Sequence, residues 1–195
     1  AARFGGQRAE WIDLSTGINP QPYPIPALPA EAWNALPDAA AQTALVDAAR
    51  AFWKVPPDAA LLAVPGASSA IARIPALAPK GRVLIPGPTY NEHAASFAEN
   101  GWQVVEEGNT DAAVHVHPNN PDGRLWQASE TPAPLSIIDE SFCDITPDAT
   151  LMAQATTPGT LILKSFGKFW GLAGLRLGFV IGDPALVARL GQMLG

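Results

Sequence analysis

Two lysines interrupt the most apolar segment of the chain, ILKSFGKFWGLAGLRLGFVIG at positions 162–182. Lys168 is followed by Phe169 and Trp170. Apolar surroundings lower the pKa of an ammonium group, and an uncharged lysine amine can attack an aldehyde carbon. The segment therefore indicates a lysine that condenses with an aldehyde, whereas an ordinary solvated lysine is the alternative. Lys164 is the competing candidate, but its position inside a predicted strand favours Lys168.

The segment VPGASSAI (64–71) indicates an anion-binding turn. Gly66 allows the chain to turn, after which Ala67 and Ser68 begin a predicted helix. The free N–H groups and the positive end of the dipole at a helix start attract an anion such as phosphate. A plain strand–turn–helix with serine caps is the alternative. The sequence holds neither a P-loop nor a G-x-G-x-x-G motif, which argues against a dinucleotide site.

Three further polar residues, Tyr90, Asn120 and Asp139, follow apolar runs. Asn120 lies in the rigid turn NNPDG, and Asp139 ends the run LSIID. A carboxylate at the end of a buried strand is costly unless a cation or a donor pairs with it. Taken one at a time, these residues are also consistent with a core tyrosine, a turn asparagine and a helix cap. Together with Lys168 and the anion-binding turn, they suit a flat phosphorylated aldehyde whose ring carries a positive charge.

His115 and His117 lie on one face of a predicted strand, as a pair of metal ligands would. A structural zinc site needs four ligands and a catalytic one needs three. No further ligand lies at a suitable spacing from this pair. We therefore predict no metal site.

Short apolar runs alternate with helix-like stretches through most of the chain. The predicted strands are 61–64, 82–86, 102–105, 112–117, 135–139, 160–164 and 177–182. The predicted helices are 38–53, 68–77, 91–100 and 183–194. Most of these strands lack a polar face, which is typical of strands covered on both sides by helices. The pattern predicts an α/β fold with a largely parallel sheet, in which ligands bind beyond the carboxyl ends of the strands.

Composition and charge argue against several classes of protein. The 195 residues are 48% hydrophobic and 15% charged, as in ordinary globular proteins. The net charge of −6 argues against a nucleic-acid partner. No apolar run reaches the roughly 20 residues of a membrane helix, and the first residues lack a signal-peptide core. Because Cys143 is the one cysteine, an internal disulfide is impossible, and we predict a cytoplasmic protein.

The motifs NNPDG, DESF and SFGK resemble those of the fold-type I, pyridoxal-phosphate-dependent aminotransferase superfamily. Their order and the eight-residue step from Lys168 to Arg176 are the signature of that superfamily. Within it, WIDLSTGINPQPYP (11–24) and SFGKFWGLAGLRLGF (165–179) are most similar to the threonine-phosphate decarboxylases of cobalamin biosynthesis. Histidinol-phosphate aminotransferases form the sister group.

The resemblance implies a three-layer α/β/α large domain that binds pyridoxal 5′-phosphate (PLP). It also implies decarboxylation of L-threonine O-3-phosphate to (R)-1-amino-2-propanol O-2-phosphate. Lys168 would bind the cofactor's aldehyde, and Asp139 would hold the proton on its ring nitrogen. Asn120 would donate to the phenolic oxygen, and Tyr90 would stack on the ring. An aminotransferase acting on histidinol phosphate, and a catalytically incomplete PLP-binding protein, stay open as alternatives.

The resemblance further implies the surroundings of the cofactor. The residues implied to hold its phosphate are Ala67, Ser68, Ser165 and Arg176. His93 would support Asp139 from behind, and Asn19 would approach the substrate. Members of this superfamily are homodimers with a small-molecule substrate, so the resemblance implies the same here.

The sequence also departs from the superfamily pattern. Phe142 lies where many relatives have a tyrosine that bonds the phenolic oxygen. The connection from NNPDG to LSIID is too short for the helix expected between parallel strands. We expect residues 1–30 to form an N-terminal segment on the substrate side and residues 31–195 to form the PLP-binding large domain. The small C-terminal domain, which carries a substrate-binding arginine in relatives, is expected to be missing, as are some internal segments.

Overall fold

A sheet of seven strands forms the centre of the computed structural model, which describes residues 3–12 and 15–195. The strands are β1 (Ala60–Val64), β2 (Arg82–Leu84), β3 (Gln103–Val105), β4 (Ala112–Val116), β5 (Leu135–Asp139), β6 (Thr160–Ser165) and β7 (Gly178–Gly182). Their order across the sheet is β1-β7-β6-β5-β4-β2-β3. β7 runs antiparallel to β1 and β6, and the other neighbouring strands are parallel. The predicted α/β class with a largely parallel sheet is confirmed.

Five α-helices lie within the described ranges. They are α1 (Glu31–Asn34), α2 (Ala39–Phe52), α3 (Ala67–Ile71), α4 (Asn91–Glu99) and α5 (Pro184–Leu194). Short 3-10 helices cover Arg8–Glu10, Ile74–Leu77, Ala128–Glu130, Cys143–Ile145, Pro147–Ala149, Met152–Thr156 and Ala173–Leu175. In the part of the chain that the structure describes, no helix has the length and apolar character needed to cross a bilayer.

Two of the predicted helix starts are confirmed by their caps. The Asp38 carboxylate accepts the N–H of Ala41 at the start of α2. The Asp183 carboxylate accepts the N–H groups of Ala185 and Leu186 at the start of α5. The first N–H groups of a helix have no partner within the helix, so a carboxylate at the cap position stabilises its start.

The prediction of one helix over 68–77 is wrong. α3 ends at Ile71, and a separate 3-10 helix follows at Ile74–Leu77. Pro75 has no N–H to donate, and its ring would clash with the carbonyl four residues earlier in a continuing α-helix. The chain therefore changes to a tighter helix around Pro75.

The connection between β4 and β5 contains no α-helix. Residues 117–134 hold only the 3-10 helix Ala128–Glu130. A buried Trp126 anchors this connection, because its Nε1 donates to the carbonyl of Val116 at 2.9 Å and its backbone N–H donates to Nδ1 of His117 at 3.0 Å. An aromatic anchor thus holds the crossover where the superfamily pattern would have a helix.

The sheet separates two hydrophobic cores. Ile137 packs in the core closed by α3, α4 and α5, whereas Ile138 packs in the core closed by α2 and the 3-10 helix Met152–Thr156. Successive side chains of a strand point to opposite faces. Asp139 therefore lies on the face of the first core and Glu140 on the face of the second. The chain forms three layers, with the sheet in the middle.

Candidate active site

A cavity of about 180 Å³ opens at the carboxyl ends of β4, β5 and β6. The predicted site residues that line it are Ala67, Ser68, Tyr90, Asn120, Asp139, Ser165, Lys168 and Arg176. Neighbouring parallel strands end at the same edge of a sheet, so residues that follow them in sequence gather there. The structure thus brings these eight residues to one place, while their individual chemical roles stay predictions.

The Asp139 carboxylate is buried at the floor of the cavity. Nε2 of His93 donates to its Oδ2 at 2.8 Å, and the N–H and the hydroxyl of Ser141 donate to its Oδ1 at 3.0 and 2.6 Å. Burial raises the pKa of Asp139, but the hydrogen bond and charge of His93 and the two bonds from Ser141 outweigh burial and hold this pKa below its usual value. The group is therefore an ionised carboxylate at neutral pH. His93 was predicted from the sequence to support Asp139, whereas Ser141 was not.

His93→Leu is expected to destabilise the protein most at neutral pH and less in acid. A carboxyl group whose folded pKa is depressed stabilises the protein above its unfolded pKa of about 4, and this contribution is lost as the pH falls through the folded value. Without His93, the largest causes that lower the pKa of Asp139 disappear and burial opposes ionisation, so a buried ionised carboxylate costs stability at neutral pH and the cost disappears once acid protonates it. Urea midpoints between about pH 3 and pH 7 measure this.

The control for this experiment is the double variant His93→Leu/Asp139→Asn, which has no carboxyl group at position 139. Because no charge is buried there at neutral pH, the double variant is expected to be more stable at pH 7 than His93→Leu, and the two are expected to differ less at pH 3. A loss of stability in His93→Leu that is the same at pH 3 and at pH 7 would contradict the prediction.

Lys168 lies between two aromatic rings beside the cavity. Its Nζ is 6.0 Å from the ring centroid of Tyr90 and 5.6 Å from that of Phe142. Aromatic faces attract an ammonium group, so the two rings favour a side chain that stays within the cavity. Burial, followed by the charges of Glu92 and Asp139, raises the pKa of Tyr90. The Tyr90 phenol therefore keeps its proton at neutral pH.

A glycine makes room for Arg176 at the other end of the cavity. Gly66 has φ 77 and ψ 150, a conformation that is essentially restricted to glycine. A Cβ at this position would lie 2.6 Å from Nη2 of Arg176, so glycine allows the guanidinium to approach the turn. The residues Ser68 and Ser165 line the same cavity. A guanidinium beside two serines fits a phosphate, and with an amine and a buried carboxylate the cavity fits PLP.

Lys164 lies on the opposite face of the sheet from the cavity. Its Nζ is 2.7 Å from Oε2 of Glu140 and 3.3 Å from Oδ1 of Asp144. Burial lowers the pKa of Lys164, but the charges of Glu140 and Asp144 outweigh burial and raise it. Lys164 is therefore a paired ammonium. We call Lys164, Glu140 and Asp144 the Lys164 cluster. This cluster was not predicted from the sequence, in which the one available signal is a charged residue in an apolar strand that requires a buried partner.

His117, Glu140 and Cys143 each have a side-chain atom of a type that binds metals, and these three atoms lie within 4.8 Å of one another. Nδ1 of His117 accepts the N–H of Trp126, and its Nε2 donates to a backbone carbonyl, so both ring nitrogens are engaged. Glu140 is paired within the Lys164 cluster. Burial, followed by the charge of Glu140, raises the pKa of the Cys143 thiol to about 12, which keeps the thiol protonated. The imidazole of His117 is thus hydrogen-bonded, the carboxylate of Glu140 is ion-paired and the thiol of Cys143 is protonated.

Asn19 lies against the loop that carries Lys168. Its backbone N–H donates to the carbonyl of Lys168 at 3.0 Å, and its Nδ2 donates to the carbonyl of Phe169 at 2.9 Å. Its Oδ1 accepts the N–H of Gln21. Asn19 thus ties the N-terminal segment to the lysine loop, and its contact with the substrate stays a prediction. Residues 1–2 and 13–14 of the predicted N-terminal segment lie outside the described residues.

Comparisons with known proteins match most or all of this chain. Residues 9–117 and 106–195 match the family described as aminotransferase class I and II. The threonine-phosphate decarboxylase of Sinorhizobium sp is 41% identical over 217 positions, covering 100% of this chain and 64% of that protein. The threonine-phosphate decarboxylase of Pseudomonas aeruginosa is 37% identical over 213 positions, covering 100% and 63%. The solved histidinol-phosphate aminotransferase from Clostridium acetobutylicum shares the fold, with a TM-score of 0.76, 20% identity and coverage of 93% and 63%.

The chain spans slightly less than two thirds of the length of these relatives. The Sinorhizobium alignment has 217 positions and this chain has 195 residues, so at least 22 aligned positions have no residue here. Such gaps agree with the expectation of shortened internal connections. The crossover from β4 to β5, which has no α-helix, is a short connection of the kind expected.

Proposed function

The chain belongs to the aminotransferase class I and II family, and on that premise we propose that it provides the cofactor site of a PLP-dependent decarboxylase. PLP is the cofactor of this family, so the predicted cofactor is confirmed. The proposed substrate is L-threonine O-3-phosphate, and the proposed product is (R)-1-amino-2-propanol O-2-phosphate. The proposed setting is cobalamin biosynthesis. The resemblance of the motifs and the names of the two threonine-phosphate decarboxylases that match the whole chain support this choice.

The observation that carries the proposal is that Lys168 and Asp139 line the same cavity. When bound, the cofactor supplies a positively charged ring that withdraws electrons from the carbon that loses its carboxylate. Asp139, ionised and fixed by His93 and Ser141, is suited to hold the proton on the ring nitrogen. A charge-assisted hydrogen bond of this kind is about twice as strong as a neutral one. The buried carboxylate is thus suited to keep the ring charged.

Lys168 has two tasks under this proposal. Its amine would bind the aldehyde carbon with loss of water, and it is also placed to hold or move a proton at the reacting carbon. Arg176, Ser68 and Ser165 line the cavity and would hold the phosphate, and Tyr90 would lie against the ring. Which bond of the substrate breaks depends on how the substrate is oriented to the ring, and such positioning can contribute many orders of magnitude to the rate.

Incubation with PLP and L-threonine O-3-phosphate tests the proposal. We expect release of CO₂ and formation of the amino alcohol phosphate, with no requirement for an oxo acid. The same mixture with the Lys168→Ala variant is the control. It is expected to release CO₂ only as fast as PLP does without the protein. Binding of PLP without any turnover of either substrate class would instead support the alternative of a catalytically incomplete PLP-binding protein.

An aminotransferase is the second candidate, because a histidinol-phosphate aminotransferase also matches most of this chain in sequence. This candidate uses the same Lys168 and Asp139, because proton removal and CO₂ loss both place negative charge on the same carbon. The two reactions differ in their products. Transfer of the amino group of histidinol phosphate to 2-oxoglutarate, without CO₂ release from threonine phosphate, would favour the aminotransferase.

A homodimer is part of the proposal. Large apolar side chains are exposed over the N-terminal segment and the two helices that follow it. The most exposed among them are Phe4, Ile12, Trp33, Leu36 and Phe52. Large exposed apolar side chains concentrated in one part of a chain favour an interface with another chain there. The sedimentation coefficient of the purified protein, measured at several concentrations, separates a dimer from a monomer.

A further inference from the structure

The Lys164 cluster is almost sealed from solvent. The side chains of Lys164, Glu140 and Asp144 are 2%, 0% and 8% exposed. A buried ion pair is weak support for stability, because hydrophobic residues of similar volume often stabilise a core as well or better. The contacts of the cluster with the elements that carry Asp139 and Lys168 point to a role in positioning.

Glu140 connects the cluster to the end of β5. It directly follows Asp139 and faces the opposite core. Besides its ion pair with Lys164, its carboxylate accepts the hydroxyl of Thr150 at 2.7 Å and the N–H of Leu151 at 2.6 Å. A carboxylate held by three donors leaves the adjoining backbone little freedom. The strand end that presents Asp139 to the cavity is therefore fixed from behind.

Asp144 connects the cluster to the loop that carries Lys168. Its Oδ2 accepts Nε1–H of Trp170 at 2.8 Å, and its Oδ1 accepts Nε1–H of Trp53 at 3.0 Å. The ring of Trp170 also stacks on Phe166, with centroids 5.5 Å apart and an angle of 19° between the planes. Lys168 lies midway between these two stacked residues in the sequence. The hydrogen bond to Asp144 therefore fixes the loop on the C-terminal side of the lysine.

We propose that Asp144 is a positioning residue for Lys168 and acts through Trp170, an inference that rests on the proposed role of Lys168. Asp144 does not line the cavity, so it touches neither cofactor nor substrate. The stacked rings hold the loop together, and the bond from Trp170 to the carboxylate sets where the loop lies relative to the sheet. Condensation requires Nζ close to the aldehyde carbon, and a displacement of about 1 Å can cost about a hundredfold in rate.

Trp170→Phe tests the proposal, because phenylalanine keeps a ring for the stack and removes the N–H donor. We expect the affinity for PLP, read from the visible absorption band of the lysine–aldehyde condensation, to fall about tenfold. The affinity for 4-deoxypyridoxine 5′-phosphate, which has the ring and phosphate but no aldehyde, is expected to change less than about twofold. This difference between the ligands is a readout that general damage to the pocket would not produce.

Trp102→Phe is the matched control. Trp102 is buried, and its Nε1 donates to the carbonyl of Pro75 at 3.0 Å in the core below α4. Trp102→Phe removes the same atoms as Trp170→Phe, so we expect a similar loss of stability. The affinities for PLP and for 4-deoxypyridoxine 5′-phosphate are expected to stay unchanged. Equal weakening of both ligands in Trp170→Phe would overturn the proposal, and so would unchanged binding of PLP. Failure of the unchanged protein to develop the band with PLP would refute the proposed function instead.

A double-variant cycle provides a second test. Asp144→Asn weakens the acceptor of Trp170 without changing the size of the side chain. If Asp144 acts through Trp170, the double variant Trp170→Phe/Asp144→Asn loses no more affinity for PLP than the more affected single variant. Additive losses would show that Asp144 acts by another route and would overturn the proposal.

Discussion

Lys168→Ala is expected to abolish the visible absorption band that the protein develops with PLP and to lower turnover by at least about a thousandfold. Of the described residues that line the cavity, Lys168 is the single lysine, and its Nζ lies beside the rings of Tyr90 and Phe142. Arg176, the other cation of the cavity, remains protonated in proteins and forms no such bond. Absorption spectra during titration with PLP measure the band.

Reduction with borohydride followed by peptide mapping supplies the complementary measurement. The reduced cofactor should be recovered on the peptide containing Lys168 and on no other. Lys80→Ala, a change at an exposed lysine, is the matched control and should leave the band intact. A labelled Lys164 peptide, or a band that survives in Lys168→Ala, would show that the wrong lysine has been identified.

Lys164→Ala is expected to destabilise the protein by about 3–5 kcal/mol, because it leaves Glu140 and Asp144 buried without their cation. The effect comes from the unpaired carboxylates more than from the lost side chain. Urea unfolding at neutral pH measures it, with Lys80→Ala expected within about 0.5 kcal/mol of the unchanged protein.

The double variant Lys164→Met/Glu140→Gln identifies the cause of this loss. Removing one charge of each sign leaves fewer unpaired groups, so the double variant should be more stable than the sum of the two single losses predicts.

The ion pair of Lys164 and Glu140 also predicts how stability depends on pH. The folded pKa of Lys164 is raised, so its contribution is complete below the unfolded pKa of about 10.4 and is lost as the pH rises through the folded value. A loss of less than about 1 kcal/mol for Lys164→Ala would contradict this account.

The positions of the strands and of most helices could be predicted from the sequence because they depend on local patterns. The runs that become β4, β5 and β6 are mostly apolar, and the caps at Asp38 and Asp183 mark helix starts within a few residues. The break at Pro75 was also a local signal, although the prediction of a helix over 68–77 overlooked it. Local steric rules and hydrogen-bonding rules act over a few residues, and a sequence displays them directly.

Sequence alone thus determined the α/β class, the family, and the set of polar residues that gather where parallel strands end. Only the tertiary structure decided the partners of each charge. Lys164 pairs with Glu140 and Asp144, and Trp170 bonds Asp144, because β5 and β6 lie side by side with Asp139 opposite Leu163. That register links residues 20 or more positions apart, and no short sequence pattern encodes it. The alternation of side chains along a strand shows which face of the sheet a charged residue occupies. Its partner on that face depends on which residues the neighbouring strand places beside it.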